Sequence, residues 1–331
     1  MTKIGIVGVG AIGGWLGAQL GQVTSVQLSV LARGATLAAL QKDGITLHRK
    51  NADGHAHTVH ARPLTSDRAA ALGVQDVVII CVKAPSLVAV AAQVAPMLGP
   101  DTVVLSAMNG VPWWFLQGFG GAAAGQRLHS VDADGSIAQH VPAQRVIGCV
   151  VHASCSTSAP GVVQHHFGNG LIIGEPTGAV TARAQKLLAL LQQAGFAATL
   201  SPQIQRDIWY KLWGNMTMNP ISAITGATTD KILQDELVRS FVSQVMLEAK
   251  DIGAKIGIPI DQDPEHRHAV TLKLGAFKTS MLQDVETGKP VELDALVGAV
   301  QELGRMTQVP TPYTDALFGL ARLHAQVRGL Y

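Results

Sequence analysis

Charge is scarce in this chain. Only 15% of the residues are Asp, Glu, Lys or Arg, and the formal balance is +2. That is too little for broad electrostatic attachment to nucleic acid or an anionic membrane. Cysteine is scarcer still. Cys81, Cys149 and Cys155 are odd in number and lack metal-ligand spacing, which predicts reduced thiols in a cytoplasmic protein without a disulfide framework. No apolar run approaches the roughly 18 residues of a membrane span. No signal-peptide pattern follows Lys3, because a short β-like run and glycines begin at once. Internal repeats and low-complexity segments are also lacking. What is present is apolar mass: 47% of 331 residues, enough for about two domains with sizeable cores.

Ile4 to Val7 is a β-branched run that opens Gly8-Val9-Gly10-Ala11-Ile12-Gly13, and an apolar helical pattern follows to Leu20. Strand, glycine turn and helix in that order form a dinucleotide fingerprint. Gly8 suits the tight turn, Gly10 admits a pyrophosphate to the backbone, and Gly13 permits close helix–strand packing. The second strand, from Val26, ends at Arg33, where an NAD-binding chain usually has an acid for the ribose 2′-hydroxyl. A guanidinium there suits a 2′-phosphate, so NADP(H) is expected; a plain surface arginine is the alternative. Residues 44–62 read as a polar β-excursion. Its histidines (His48, His55, His57, His60) alternate like those of an exposed hairpin rather than a metal site. The apolar run Asp76–Val82 ends in Lys83, and Thr102–Met108 ends in Asn109-Gly110. Strand ends border the ligand crevice of an open α/β sheet, which makes both side chains candidates. Lys83 could equally be the first solvated residue, and Asn109 a turn residue. Strands at 145–154 and 161–174, a helix at 182–195 and a short strand at 197–202 complete this half.

Beyond Pro202 the pattern is almost all helical. Helices are expected at 203–219, stopped by Pro220, then at about 230–257 and 265–283, and from near Glu292 and near Thr314. The expected architecture is therefore α/β: an N-terminal Rossmann-type doubly wound parallel sheet (1–201), then an all-helical C-terminal domain (202–331). Lys211, Asn215 and Asn219 recur every four residues, which stacks one cation and two amides along a helix stripe. Such a stripe suits a small polar anion, with the lysine able to protonate an oxygen; a solvated helix face is the alternative. Ser280 and Glu292 flank a Gly/Pro turn and could bind a carboxylate or orient a lysine. Glu292 could also be a helix first-turn acid. Trp113-Trp114-Phe115 looks exposed.

Taken together, these residues resemble the ketopantoate reductase (2-dehydropantoate 2-reductase) family almost end to end. The resemblance lies in Gly8–Gly13, Arg33, Val82-Lys83 and Asn109-Gly110. It continues with Trp209-Tyr-Lys211-Leu, Asn215, Asn219-Pro220, Ser280-Met-Leu-Gln-Asp284 and Glu292-Leu-Asp294. The Lys-x3-Asn-x3-Asn-Pro set and Ser-Met-Leu-Gln-Asp are its specific parts. The resemblance implies NADPH-dependent reduction of ketopantoate to pantoate in pantothenate biosynthesis. It implies Lys211 as general acid; Asn215, Asn219 and Ser280 on the substrate; Asn109 on substrate and cofactor; Lys83, Glu292 and Ser154 on the cofactor, with Glu292 also positioning a lysine. Two departures bear on the substrate. Val111-Pro-Trp-Trp-Phe115 replaces a smaller, more polar stretch, and Thr229 stands where some members carry an Asn. The alternatives are a paralogue acting on another 2-oxo acid, or a non-catalytic NADPH sensor. Leu317-Phe318 and Leu320 could carry a homodimer contact or be core.

Overall fold

The computed structural model describes residues 1–50 and 53–331. They form two compact units, residues 1–108 with 136–204, and residues 109–135 with 205–331.

Unit 1 runs β1 (Thr2–Val7), α1 (Ala11–Leu20), β2 (Val26–Leu31), α2 (Gly34–Asp43), β3 (Ile45–Lys50), β4 (Ala56–Ala61), β5 (Leu64–Ser66), α3 (Ala69–Leu72), β6 (Gln75–Ile80), α4 (Leu87–Gln93), β7 (Leu98–Ser106), α5 (Ser136–His140), β8 (Val146–Ala159), β9 (Val162–Gly174), α6 (Ala182–Gln193) and β10 (Ala197–Leu200). Its sheet is ordered β4-β3-β9-β8-β7-β6-β1-β2-β5, with β10 beside β9. From β5 to β8 all neighbours are parallel. In order of appearance those six strands lie 3-2-1-4-5-6, the Rossmann arrangement. β6 shows why the sequence reads so clearly: its last four residues, Val77 to Ile80, are all buried, as a strand covered on both faces requires.

The sheet is mixed rather than wholly parallel. β8 and β9 are joined by the two residues Pro160 and Gly161, and so short a link allows only an antiparallel pair. β9 then runs parallel to β3 and β10, and the β3–β4 hairpin forms the far edge. On that hairpin His48 and His60 hydrogen-bond across the pair to Thr58 and Thr46. Trp15 of α1 is 1% exposed and meets Phe196 edge-on at 4.9 Å, within the core beneath the sheet.

Unit 2 contains α7 (Ile204–Thr225), α8 (Thr229–Gln234), α9 (Glu236–Lys255), α10 (Pro264–Leu272), α11 (Ser280–Glu286), a π-helical turn (Asp294–Gly298) that runs into α12 (Ala299–Thr307), and α13 (Pro312–Val327). Three expectations are corrected here. Pro220 does not stop α7, which continues to Thr225. A proline removes one ladder bond, but its fixed φ is helical, and burial of Ile221 and Ala223 carries the helix on. The helix expected over 265–283 is two, α10 and α11, because Gly275 takes a φ of +63° between them. Trp113, Trp114 and Phe115 are interior, at most 4% exposed. Phe115 packs against Phe119 and Trp209.

Two buried acids fasten unit 2 together. Glu302 accepts the backbone N–H groups of His129 and Ser130, both at 2.8 Å. Glu248 accepts those of Tyr313 and Thr314, also at 2.8 Å, and the Thr314 hydroxyl. The second set caps the first turn of α13, where unbonded donors and the helix dipole favour a carboxylate.

Candidate active site

The glycine turn in unit 1 has the geometry that its spacing predicts. Gly8 adopts a φ of +91°, and a Cβ there would lie 2.8 Å from the Val82 nitrogen. A Cβ on Gly13 would fall 2.0 Å from the Gly8 carbonyl oxygen, so helix and strand touch through that glycine. Gly10, the N-cap residue of α1, is different: a Cβ on it would meet nothing within 4 Å. The turn is thus closed on its protein side and open at Gly10, beside unbonded first-turn N–H groups with no acid among them. Those features fit a pyrophosphate.

β2 ends at Leu31, and Arg33 is the exposed N-cap residue of α2. Among the described residues Arg33 has no ion-pair partner, and no acid stands at this strand end, so the residues present fit a 2′-phosphate better than a free 2′-hydroxyl. Lys83 is half-buried and opens the turn Ala84–Ser86 after β6. Ser154 lies half-buried on β8, opposite Phe167 of β9.

The amide and lysine stripe lies on α7 in unit 2. α7 is oriented by its tryptophans: Trp209 Nε1 donates to the Ala249 carbonyl (3.3 Å) and Trp213 Nε1 to the Met246 carbonyl (2.7 Å) of α9. Gly253 makes room for Trp209, since a Cβ there would sit 2.5 Å from its Nε1. Residues two apart on a helix point about 200° away from each other. Fixing 209 and 213 against α9 therefore turns 211 and 215 away from that core. Lys211 and Asn215 are accordingly half-buried, and Asn219 is 4% exposed.

Lys211 Nζ donates to Asn109 Oδ1 at 2.8 Å across 102 positions of sequence. Asn219 Nδ2 reaches Ser280 Oγ at 3.5 Å, the outer limit of a hydrogen bond. Ser280 is exposed at the start of α11, where Thr279 caps the helix by accepting from Leu282 N.

Asn109 is held by its neighbour. Gly110 has a φ of +80° and lies so close to Ala295 that a Cβ would be 2.6 Å from that residue's carbonyl oxygen. The same oxygen accepts the Val111 N–H at 2.8 Å. Ala295 belongs to the π-helical turn, a distortion frequent at functional sites. Half-buried Glu292 begins the same stretch, its carbonyl accepting from Leu296 N. The structure thus brings Asn109 to Lys211, Asn219 to Ser280, and Glu292 to the segment that carries Asn109. Ala295 had no sequence signal, because its contribution is a backbone carbonyl. Thr229 is buried and binds the 275–277 backbone, its N–H donating to the Phe277 carbonyl and its hydroxyl to that of Gly275.

One unit with a Rossmann sheet and an open glycine turn, and another with a lysine and amides on one helix face, define a dinucleotide-dependent oxidoreductase architecture. Family models match in sequence: ketopantoate reductase PanE/ApbA over residues 4–178, and its C-terminal counterpart over residues 203–325. A 2-dehydropantoate 2-reductase of Mesorhizobium japonicum is 44% identical over 329 residues, 99% of either chain. A crystal structure from Ralstonia solanacearum MolK2, provisionally named ketopantoate reductase, is 55% identical and superposes with a TM-score of 0.94, over 100% of this chain and 99% of that one. A D-mandelate dehydrogenase solved with NADH and anilino(oxo)acetate shares the fold at a TM-score of 0.83 and 21% identity over both full chains. The chain belongs to the ketopantoate reductase family, a family of oxidoreductases. Among the described residues no helix is long and apolar enough to cross a membrane.

Proposed function

We propose that this protein catalyses the NADPH-dependent reduction of 2-dehydropantoate (ketopantoate) to pantoate, the reductive step towards pantothenate and coenzyme A, in the cytoplasm. The observation that carries the reading is the 2.8 Å bond from Lys211 Nζ to Asn109 Oδ1. When bound, the reduced nicotinamide supplies the hydride. Reduction of a 2-oxo carbon leaves charge on oxygen, and Lys211 acts as the general acid that meets it, a role worth about 10²–10⁴-fold. An ammonium has three donors. Asn109 takes one and so aims the others, which is how it serves both the reacting end of the cofactor and the substrate.

Asn215, Asn219 and Ser280 bind the substrate carboxylate and hydroxyl. Glu292 is the second catalytic residue, positioning a lysine and contacting the cofactor. Gly8, Val9, Gly10, Ala11, Ile12 and Gly13 hold the pyrophosphate; Arg33 reads the 2′-phosphate; Lys83 and Ser154 complete the cofactor contacts. The NADP-binding domain, expected at 1–201, is unit 1, and the substrate domain, expected at 202–331, is unit 2, which also takes residues 109–135 from the first half of the chain. Rings at 113–115 lining a substrate pocket would favour a bulkier 2-oxo acid. They are in the interior of unit 2, which supports the smaller substrate.

The test is NADPH oxidation by the purified protein with 2-dehydropantoate, 2-oxoisovalerate, pyruvate and phenylglyoxylate. A kcat/KM for 2-dehydropantoate at least tenfold above the others is expected. A preference for phenylglyoxylate would replace the substrate, and no turnover with any of them would end the enzymatic reading.

A further inference from the structure

The C-terminal ends of α1 and α6 and the β3–β4 hairpin line a cavity of about 260 Å³ in unit 1. It lies at the opposite end of α1 from the glycine turn. None of its lining residues belongs to the candidate active site, so its chemistry is independent of the proposed reaction.

Two side chains on its wall are incompletely bonded. Gln19 of α1 is 4% exposed, and Arg49 of β3 is half-buried. Arg49 Nη1 donates to Gln19 Oε1 at 2.7 Å. A guanidinium only donates, so that bond fixes the amide: the oxygen faces Arg49, and Nε2 faces away from it. Gln19 Nε2 has no hydrogen-bond partner, Arg49 Nε has none either, and both atoms are buried. A buried donor without an acceptor is costly, and one on a cation more so. Gln22, on the same wall, shows the satisfied case. Its Nε2 donates to the Ala18 carbonyl near the end of α1 (3.2 Å) and to that of His60 (2.8 Å).

The donors define the ligand. Both require an acceptor, and Arg49 is the one charged residue among the described residues that line the cavity. One cation with no acid beside it matches a single negative charge, whereas a phosphate dianion would leave a charge unmet. The Nε edge of a guanidinium, with the amino group next to it, is a fork that fits a carboxylate. Val23 and Val59 are buried and give the cavity an apolar floor, while exposed Gln22 and Gln193 give it a polar rim. The volume is just below the roughly 300–1,000 Å³ of drug-sized sites, which suits a short carbon chain. Water would meet the two donors, but it would leave the charge of Arg49 uncompensated and wet the valines.

We propose that this cavity is a binding site for a small aliphatic carboxylate. Its oxygens accept from Arg49 Nε and Gln19 Nε2, and its carbon chain rests on Val23 and Val59.

The test is a titration of the full chain with isovalerate, followed by saturation-transfer NMR up to about 20 mM, the range proper to so small a ligand. Saturable binding is expected. Gln19→Glu should weaken it about tenfold or more, because the new carboxylate pairs with Arg49 and the amide donors are lost. Arg49→Gln should do the same by removing the charge. Circular dichroism should be unchanged in both. Isovaleramide and inorganic phosphate should bind about tenfold more weakly than isovalerate, or worse. A crystal of the wild type grown with isovalerate should place its carboxylate within about 3.2 Å of both donors, a result that stands even if a variant fails to fold. Absence of saturable binding overturns the proposal. So does equal affinity in folded variants, and so does water alone at the two donors in that crystal. Isovaleramide or phosphate binding as tightly as isovalerate would exclude the carboxylate class.

Discussion

Replacing Gly110 with alanine tests whether the segment that holds Asn109 is as tightly constrained as its geometry implies. Alanine pays about 1–2 kcal/mol for the left-handed conformation, at a φ of +80°. The new Cβ would also fall 2.6 Å from the Ala295 oxygen and 2.7 Å from its Cβ. That oxygen is pinned by the Val111 N–H, so backbone must move, an overpacking cost of about 1–3 kcal/mol. The total is about 2–5 kcal/mol. Gly226 is the internal control: its φ is +72° but nothing lies within 4 Å of an added Cβ, so Gly226→Ala should lose only about 1–2 kcal/mol. At about 2–4 °C per kcal/mol for a unit of this size, Gly110→Ala should melt several degrees below Gly226→Ala. Turnover should separate them further. Asn109 is the adjacent residue, and a displacement near 1 Å can cost about 10²-fold. Differential scanning fluorimetry and NADPH oxidation read the two effects. If both variants melt together and Gly110→Ala turns over like wild type, the constraint does not exist.

Other perturbations probe the two units separately. Lys211→Ala should lower kcat by about 10²–10⁴-fold with little change in the KM for NADPH; retention of activity within a few-fold of wild type would remove Lys211 from the chemistry. Arg33→Ala should weaken NADPH and spare NADH, and equal losses in fluorescence titrations with both cofactors would refute its reading of the 2′-phosphate. His268 is 1% exposed, and burial holds its pKa below the usual value, with Glu265 opposing and Arg239 assisting. Its unfolded form therefore binds the proton more readily. Stability should be full above about pH 6.5 and fall as pH drops towards the folded value, by at most about 1.4 kcal/mol per pH unit. His268→Gln should flatten that slope in urea unfolding between pH 7 and 5, and an unchanged slope would exclude His268 as its source. Burial pushes the Cys155 thiol up to about 12 and raises that of Cys81 further. At pH 8 a thiol of that kind is thiolate to about one part in 10⁴, so iodoacetamide should label both about 10³-fold more slowly than a free cysteine; labelling at the free-cysteine rate, followed by mass spectrometry, would contradict it.

Much of the fold was legible because it rests on local pattern. Continuous burial in β6, the glycine turn at 8–13 and the fourfold spacing on α7 each reflect a strand or helix period that needs no distant partner. Where reading by pattern failed, a tertiary contact overrode a local preference. Pro220 signals a stop, yet burial beyond it carries α7 on. Trp113-Trp114-Phe115 follows a turn and looked exposed, yet the rings fill space beside Trp209. Leu317-Phe318 and Leu320 could not be told apart as core or contact; packing buries the first two and leaves Leu320 outside.

By itself the sequence determined which residues share a strand face or a helix stripe, because a side chain's direction within an element follows from its backbone period. It also determined the open glycine turn, since only that residue tolerates the conformation and the close approach. Only the tertiary structure decided that Asn109 Oδ1 lies at 2.8 Å from Lys211 Nζ, that the Ala295 carbonyl holds the Gly110-Val111 segment beside Asn109, and that residues 109–135 pack with 205–331. Those contacts join positions far apart in the chain, through backbone groups that are alike in every residue and through buried acids such as Glu248 and Glu302. Such a carboxylate acquires a purpose only when packing brings unbonded N–H groups to it.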